Sequence, residues 1–147
     1  MNANLPFINT PLEELRARVI SDPTARWINY RLECFGDGWV EASMLVEPKL
    51  LSPIGRMHAS SVIAFADLTC GVGTYRLLPS ENASFATIEL KTNHLGTAQG
   101  GKLLCRAESR HIGKGTQVWD AVVTVAESGK TITLFRCTQM ILSTPAT

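Results

Sequence analysis

Two kinds of hydrophobic pattern divide the chain. Between residues 84 and 94 the side chains alternate, with Ala86, Ile88 and Leu90 set against Phe85, Thr87, Glu89 and Lys91. A period of two is the signature of a strand with two unlike faces. Comparable strands are predicted at 102–111, at 116–126 (rich in Val and Thr) and at 131–142, with a turn at Glu127-Ser128-Gly129-Lys130. Upstream, 29–35 and 39–47 alternate around Gly36-Asp37-Gly38, which predicts a hairpin. The short turns imply antiparallel pairing.

Residues 59–78 break this rhythm. Val62-Ile63-Ala64-Phe65-Ala66 is apolar on almost every side of a helix, so the segment predicts a helix buried nearly all round and ending before Pro79. A helix with a polar face is predicted from Thr10-Pro11-Leu12-Glu13-Glu14, where Thr10 caps, Pro11 opens the first turn and the acids face the positive helix end. It should stop near Asp22-Pro23. Pro48 and Pro53 mark an irregular connection. The fold class is therefore α+β: one curved antiparallel sheet of about six strands wrapped around one long central helix, plus a short N-terminal helix. No linker or repeat interrupts residues 1–147, which read as a single domain. Such a sheet has an edge and an outer face to cover, which favours dimerisation.

Composition narrows the function classes. Apolar residues make up 45% and charged residues 18%, which excludes a disordered chain or a coiled coil. Fourteen Lys and Arg against thirteen Asp and Glu leave a net charge of +1, without the basic stripe a nucleic-acid partner needs. The apolar run 62–72 contains Asp67 and is too short for a bilayer, which needs about 20 residues. The first twenty residues mix charges with apolar positions, unlike a signal peptide, so a soluble cytoplasmic protein is expected. Cys34, Cys70, Cys105 and Cys137 form no Cys-x-x-Cys pair, and three of them sit in apolar patterns that predict buried free thiols. His58, His94 and His111 lack metal-ligand spacing, so no metal is expected.

Asp67 is the most informative residue. It lies mid-helix between Ala66 and Leu68, where an unpaired carboxylate costs several kcal/mol unless it is partnered, protonated or functional. Its forward neighbours Cys70 and Gly71, with Gly73 beyond, are small enough to leave room for a ligand. The second feature is Gly55-Arg56-Met57-His58-Ala59-Ser60-Ser61, where a loop enters that helix. Free N–H groups and a positive dipole suit a helix start to an oxyanion or phosphate, although Ser60 or Ser61 could equally be a simple N-cap. His58 and Asp67 are nine residues apart, roughly 13 Å along a helix and on opposite sides of it. They cannot meet within one chain. If helix start and carboxylate act on one substrate, they come from two subunits. His111-Ile112-Gly113-Lys114-Gly115 reads as a turn whose basic groups could meet a phosphate.

Together these residues resemble the PaaI-like acyl-CoA thioesterases of the hotdog superfamily. The likeness runs from about residue 50 to 142. It rests on Gly55-Arg56-Met57-His58 with Asp67 nine residues beyond, on Ala86-Thr87-Ile88-Glu89-Leu90-Lys91-Thr92-Asn93 followed by Gly96-Thr97-Ala98, and on His111-x-Gly113-Lys114. The resemblance implies a hotdog fold, a homodimer assembled into a homotetramer, and sites between subunits. It implies hydrolysis of acyl-CoA thioesters, with CoA as part of the substrate and neither cofactor nor metal. Asp67 would be general base or nucleophile, the Ala59 N–H would polarise the thioester carbonyl, His58 would shape the junction, and Thr87 would place water. Lys114, with Gly113 and Arg110, would meet the CoA phosphates, and Gly55 and Ser60 would border the substrate. Three positions depart from the pattern: Ala59-Ser60 stands for the family's Gly-Gly, and Ser52 for a polar Asn. These departures also allow a non-catalytic acyl-CoA binding module, and a hydratase or dehydratase is a further alternative. The acyl group, the tetramer arrangement and the choice between base and nucleophile are left open.

Overall fold

The computed structural model describes residues 5–143. Helix α1 (Leu12–Ile20) and a short α2 (Pro23–Trp27) precede a hairpin of β1 (Tyr30–Gly36) and β2 (Trp39–Leu45). A 3-10 turn at Pro48–Leu50 leads to the long α3 (Ala59–Arg76), and β3 (Ala83–His94), β4 (Lys102–Ile112), β5 (Thr116–Val125) and β6 (Thr131–Ser143) follow. All six strands join one sheet in the order β1-β2-β4-β5-β6-β3, with every pairing antiparallel. Bulges interrupt the ladders at Leu32/Cys34, Thr87/Glu89, Ser109/His111 and Val123/Thr124. A bulge bends its strand and adds twist, which curves the sheet around α3.

The alternation decides which side of the sheet is inside. Val40, Ala42 and Met44 of β2, Leu103, Cys105 and Ala107 of β4, and Trp119, Ala121 and Val123 of β5 are buried against Phe65, Ala66 and Cys70 of α3. On the opposite face Leu104 of β4, Val122 of β5 and Leu134 of β6 are exposed, while Ser43 of β2 is buried. Cys70, Cys105 and Cys137 are buried free thiols and Cys34 is exposed, as the pattern predicted. Arg76 closes α3 as a buried cation. Its guanidinium donates to the carbonyls of Gly36 and Ile8, each at 2.9 Å, and lies 3.9 Å over the Phe35 ring. That anchor ties the helix end to the hairpin turn and to the segment before α1.

Three local expectations need correction. Pro11, not Thr10, occupies the N-cap of α1, and it offers no side-chain hydrogen bond. The chain turns before α1 through the Thr10 N–H, which donates to the Phe7 carbonyl at 3.2 Å. At Asp22-Pro23 the first helix stops as predicted, but α2 begins at the same place. The Asp22 carboxylate accepts from the Thr24 N–H at 2.7 Å and Pro23 needs no N–H partner, so the same two residues are also a helix start. Third, the cap of α3 is neither Ser60 nor Ser61 but His58. Among the described residues no helix is long and apolar enough to cross a membrane.

Candidate active site

Asp67 lies half-buried in the middle of α3, flanked by buried Ala66 and half-buried Leu68. Across from it, β3 and β6 pair so that Thr87 stands opposite Gln139. The Thr87 hydroxyl is 3.2 Å from Asp67 Oδ1 and 2.9 Å from Gln139 Oε1. Burial pushes the Asp67 carboxyl above the ordinary carboxylate range, while its hydrogen bonds to Thr87 and Gln139 act in the opposite direction. The bulge of β3 falls immediately after Thr87. Gln117 of β5 pairs with Gln139 in turn, so a polar row crosses three strands beneath the helix. Gln117 itself is committed to structure: it donates to the Leu77 carbonyl at 3.2 Å and accepts from the Trp119 indole at 3.0 Å.

Beside Asp67 opens a cleft of about 350 Å³ between α1 and α3. Leu15, Val19, Leu68, Val72, Tyr75 and Phe85 make its walls apolar, with Gly71 one turn beyond Asp67, while Arg18 and Asp22 add charges. Its size and lining suit a small organic group. Gly71 therefore does leave room beside the carboxylate, whereas Gly73 serves packing, because Trp119 fills the space a side chain would need there.

The helix start is held by a small backbone loop. Leu51 bridges Met57, the Ser52 N–H donates to the Arg56 carbonyl at 2.7 Å, and the Gly55 N–H returns to the Ser52 carbonyl at 2.9 Å. Gly55 has φ +72°, a left-handed conformation that favours glycine. The His58 N–H donates to the Leu50 carbonyl at 2.9 Å, which presents His58 as the cap. His58 Nδ1 accepts from the Ser60 N–H at 3.3 Å and lies 2.8 Å from the Ser60 hydroxyl. Ser61 turns inward to the Leu50 carbonyl. Ala59 is exposed as the first residue of α3, where an N–H has no intrahelical partner. Ala59 and Asp67 belong to the same continuous helix, about 12 Å apart along its axis.

The β4–β5 turn carries Gly113 and exposed Lys114. The Gly113 N–H donates to the Thr116 carbonyl, and the Ile141 N–H to the Gly115 carbonyl, each at 2.9 Å. The turn thus sits at the end of β6 that also carries Gln139. Arg110 is elsewhere. It is the bulged residue of β4, and its guanidinium pairs with Asp120 at 2.8 Å and with Glu108 at 3.5 Å on the face away from α3. The structure brings Asp67 and Thr87 together, groups Ser52, Gly55, His58, Ala59 and Ser60 at the helix start, and separates Arg110 from both. Gln139 and the α1 wall of the cleft escaped the sequence reading. Gln139 did carry a signal, as a polar residue in the inward phase of β6 between Cys137 and Ile141.

A model of the thioesterase superfamily matches residues 54–132, more than half of the chain. The chain belongs to the thioesterase superfamily. A relative from Listeria monocytogenes named 1,4-dihydroxy-2-naphthoyl-CoA hydrolase is 32% identical over 93 residues, 63% of this chain and 74% of the relative. The solved structure of a mutant thioesterase from Pseudomonas aeruginosa superposes with a TM-score of 0.85 at 26% identity, covering 91% of this chain and 96% of that one. The hypothetical thioesterase from Streptococcus pneumoniae, solved with coenzyme A, shares the fold: its TM-score is 0.75 at 21% identity, over 92% and 100% of the two chains. The sheet around α3 is the hotdog fold, and this thioesterase is a hydrolase.

Proposed function

We propose that this thioesterase hydrolyses acyl-CoA thioesters at a site shared by two copies of the chain. The observation that carries the reading is the half-buried Asp67 carboxylate at an apolar cleft, with a hydroxyl and an amide as its hydrogen-bonding neighbours. The acyl group enters the cleft, whose Phe85 and Tyr75 rings suit an aromatic or branched acyl group. Asp67 takes a proton from water as the water oxygen attacks the thioester carbonyl, and the C–S bond then breaks as that proton passes to the leaving sulfur, releasing CoA and a carboxylic acid. Direct attack by Asp67, followed by hydrolysis of the anhydride, is the same assignment with the carboxylate as nucleophile. Thr87 orients the carboxylate and the water.

The carbonyl oxygen needs a donor where negative charge develops. The Ala59 N–H suits that role, but its distance along α3 from its own Asp67 requires the donor to come from a second copy. Two features favour such a homodimer. Among the described residues strand β3 pairs on one side only, with β6, and its Ile88 and Leu90 are 55% and 42% exposed. Helix α3 leaves Ile63, Ala64 and Asp67 incompletely covered. In this reading His58 and Ser60 fix the helix start, Ser52 and Gly55 shape the loop before it, and Lys114 and Gly113 meet the CoA phosphates. Arg110, ion-paired with Asp120 and Glu108, lies apart from these groups.

The test is release of free CoA from short, medium, long and aryl acyl-CoAs by wild type and Asp67→Asn. An enzyme-only blank corrects for the exposed Cys34 thiol. A positioned general base contributes about 10²- to 10⁴-fold, so the variant should lose at least about 10²-fold in kcat/KM. Equal rates would remove Asp67 from the mechanism.

A further inference from the structure

The contacts around Thr87 pose a proton-counting problem. A threonine hydroxyl has one proton to donate, yet acceptor oxygens of Asp67 and Gln139 lie 3.2 and 2.9 Å from it. Gln139 is 0% exposed, and its Nε2 donates to Cys137 Sγ at 3.3 Å. Both contacts of Thr87 are hydrogen bonds at once when Asp67 is protonated. The acid O–H then donates to Thr87 Oγ1, and the Thr87 O–H donates to Gln139 Oε1. When Asp67 is ionised, Thr87 must turn its proton to the carboxylate. Two oxygens, those of Thr87 and Gln139, would then face each other without a proton. A carboxamide relieves this by a half-turn, because its O and NH2 ends occupy nearly the same space. Gln139 Nε2 then donates to Thr87, and its oxygen accepts from the Cys137 thiol.

We propose that Gln139 is a positioning residue for Asp67, acting on the carboxyl directly and through the Thr87 hydroxyl, and reversing its amide as Asp67 gains or loses a proton. The inference rests on Asp67 being the catalytic carboxylate. A general base cycles between these two states in every turnover, and a relay that satisfies both avoids an unpaired buried group in either. Other titratable groups around Asp67 are Arg18 and Asp22 on the α1 side of the cleft, Cys70 and Tyr75 on α3, and Cys137 on β6. The Asp67 carboxyl is shifted by burial and by its Thr87 and Gln139 bonds rather than by any of these charges. A variant without the amide therefore removes a principal support of the ionised form.

Carboxyl ¹³C NMR follows the Asp67 titration directly, its resonance being assigned by its loss in Asp67→Asn. In Gln139→Met the midpoint should move up by about one pH unit, and the acid limb of kcat/KM should move with it. Thr87→Val should produce a similar shift. The double variant should shift by less than the sum of the two single shifts, because the two groups share the Thr87–Gln139 bond. Thr87→Ser should restore the wild-type titration. Should Gln139→Met not fold, the contrast between Thr87→Val and Thr87→Ser, repeated in Gln139→Glu, carries the test. A wild-type midpoint in folded Gln139→Met, or fully additive shifts in the double variant, would overturn the relay. Full hydrolysis by Asp67→Asn would instead overturn the catalytic assignment beneath it, whatever the titration gives.

Discussion

Gly71 and Gly73 lie two residues apart on α3, and the structure predicts opposite outcomes for the same substitution. Glycine inside a helix costs about 1 kcal/mol relative to alanine, so either change to alanine would stabilise α3 by that much if a methyl had room. At Gly71 a Cβ meets the Phe85 ring at 3.5 and 3.7 Å, which is ordinary contact. At Gly73 it would fall 2.4, 2.6 and 2.9 Å from three atoms of the Trp119 indole. Trp119 is 1% exposed and cannot slide freely, because its indole N–H is bonded to Gln117, which in turn holds the Leu77 carbonyl at the end of α3. Overpacking a core costs about 1–3 kcal/mol, and loosening a buried hydrogen bond adds about 1 kcal/mol. Set against the helix gain, Gly73→Ala loses about 1–3 kcal/mol and Gly71→Ala gains up to about 1 kcal/mol. A domain of this size changes Tm by about 3 °C per kcal/mol. Calorimetry should therefore show a fall of about 3–9 °C for Gly73→Ala and a small rise for Gly71→Ala. Equal Tm values for the two variants would refute the packing argument. Kinetics separate the two positions again. Gly71 lines the cleft, so its alanine variant should raise KM for bulky acyl groups with little change in kcat.

The stability of Asp67→Asn should run against its activity. Burial raises the folded-state pKa of Asp67 above the unfolded value, so the folded protein binds this proton more tightly. The associated stability is present below the unfolded pKa of about 4 and is lost as pH rises through the folded value. Asparagine carries no charge, so Asp67→Asn should melt above wild type at pH 7, with a gap that narrows toward pH 4. Parallel melting curves at every pH would contradict this. Lys114→Ala should raise KM for acyl-CoA about fivefold at low salt with kcat unchanged, the worth of one exposed ion pair, and the difference should shrink at high salt. A similar rise with a thioester lacking the nucleotide would show that Lys114 does not meet the phosphates.

Much of this protein was legible in one dimension because its elements are defined by local periodicity. Strand alternation picks out core-facing Val40, Ala42 and Met44, and that pattern is complete within a few residues. An uninterrupted apolar run such as Val62-Ile63-Ala64-Phe65-Ala66 calls for cover on most sides; the core takes Val62, Phe65 and Ala66, while Ile63 and Ala64 stay half-buried in the single chain. Asp67 stood out as a charge set directly after that run. The separation between Ala59 and Asp67 also follows from helix rise alone.

Tertiary structure decided who meets whom. The Asp22-Pro23 stop was readable, but those residues both end one helix and start the next, and folding uses both. His58 displaced two serines as cap because the Leu51–Met57 bridge sets its backbone at the helix start. Arg110 looked available until Asp120 claimed it across the β4–β5 ladder. Gln139 reaches Thr87 from 52 residues away, through a register set by the whole β3–β6 pairing. Periodicity is a property of neighbours along the chain, and it says which way a side chain points. Partnership depends on register, bulges and packing between distant segments, so the carboxylate was visible in the sequence while the groups that tune it and the cleft beside it required the fold.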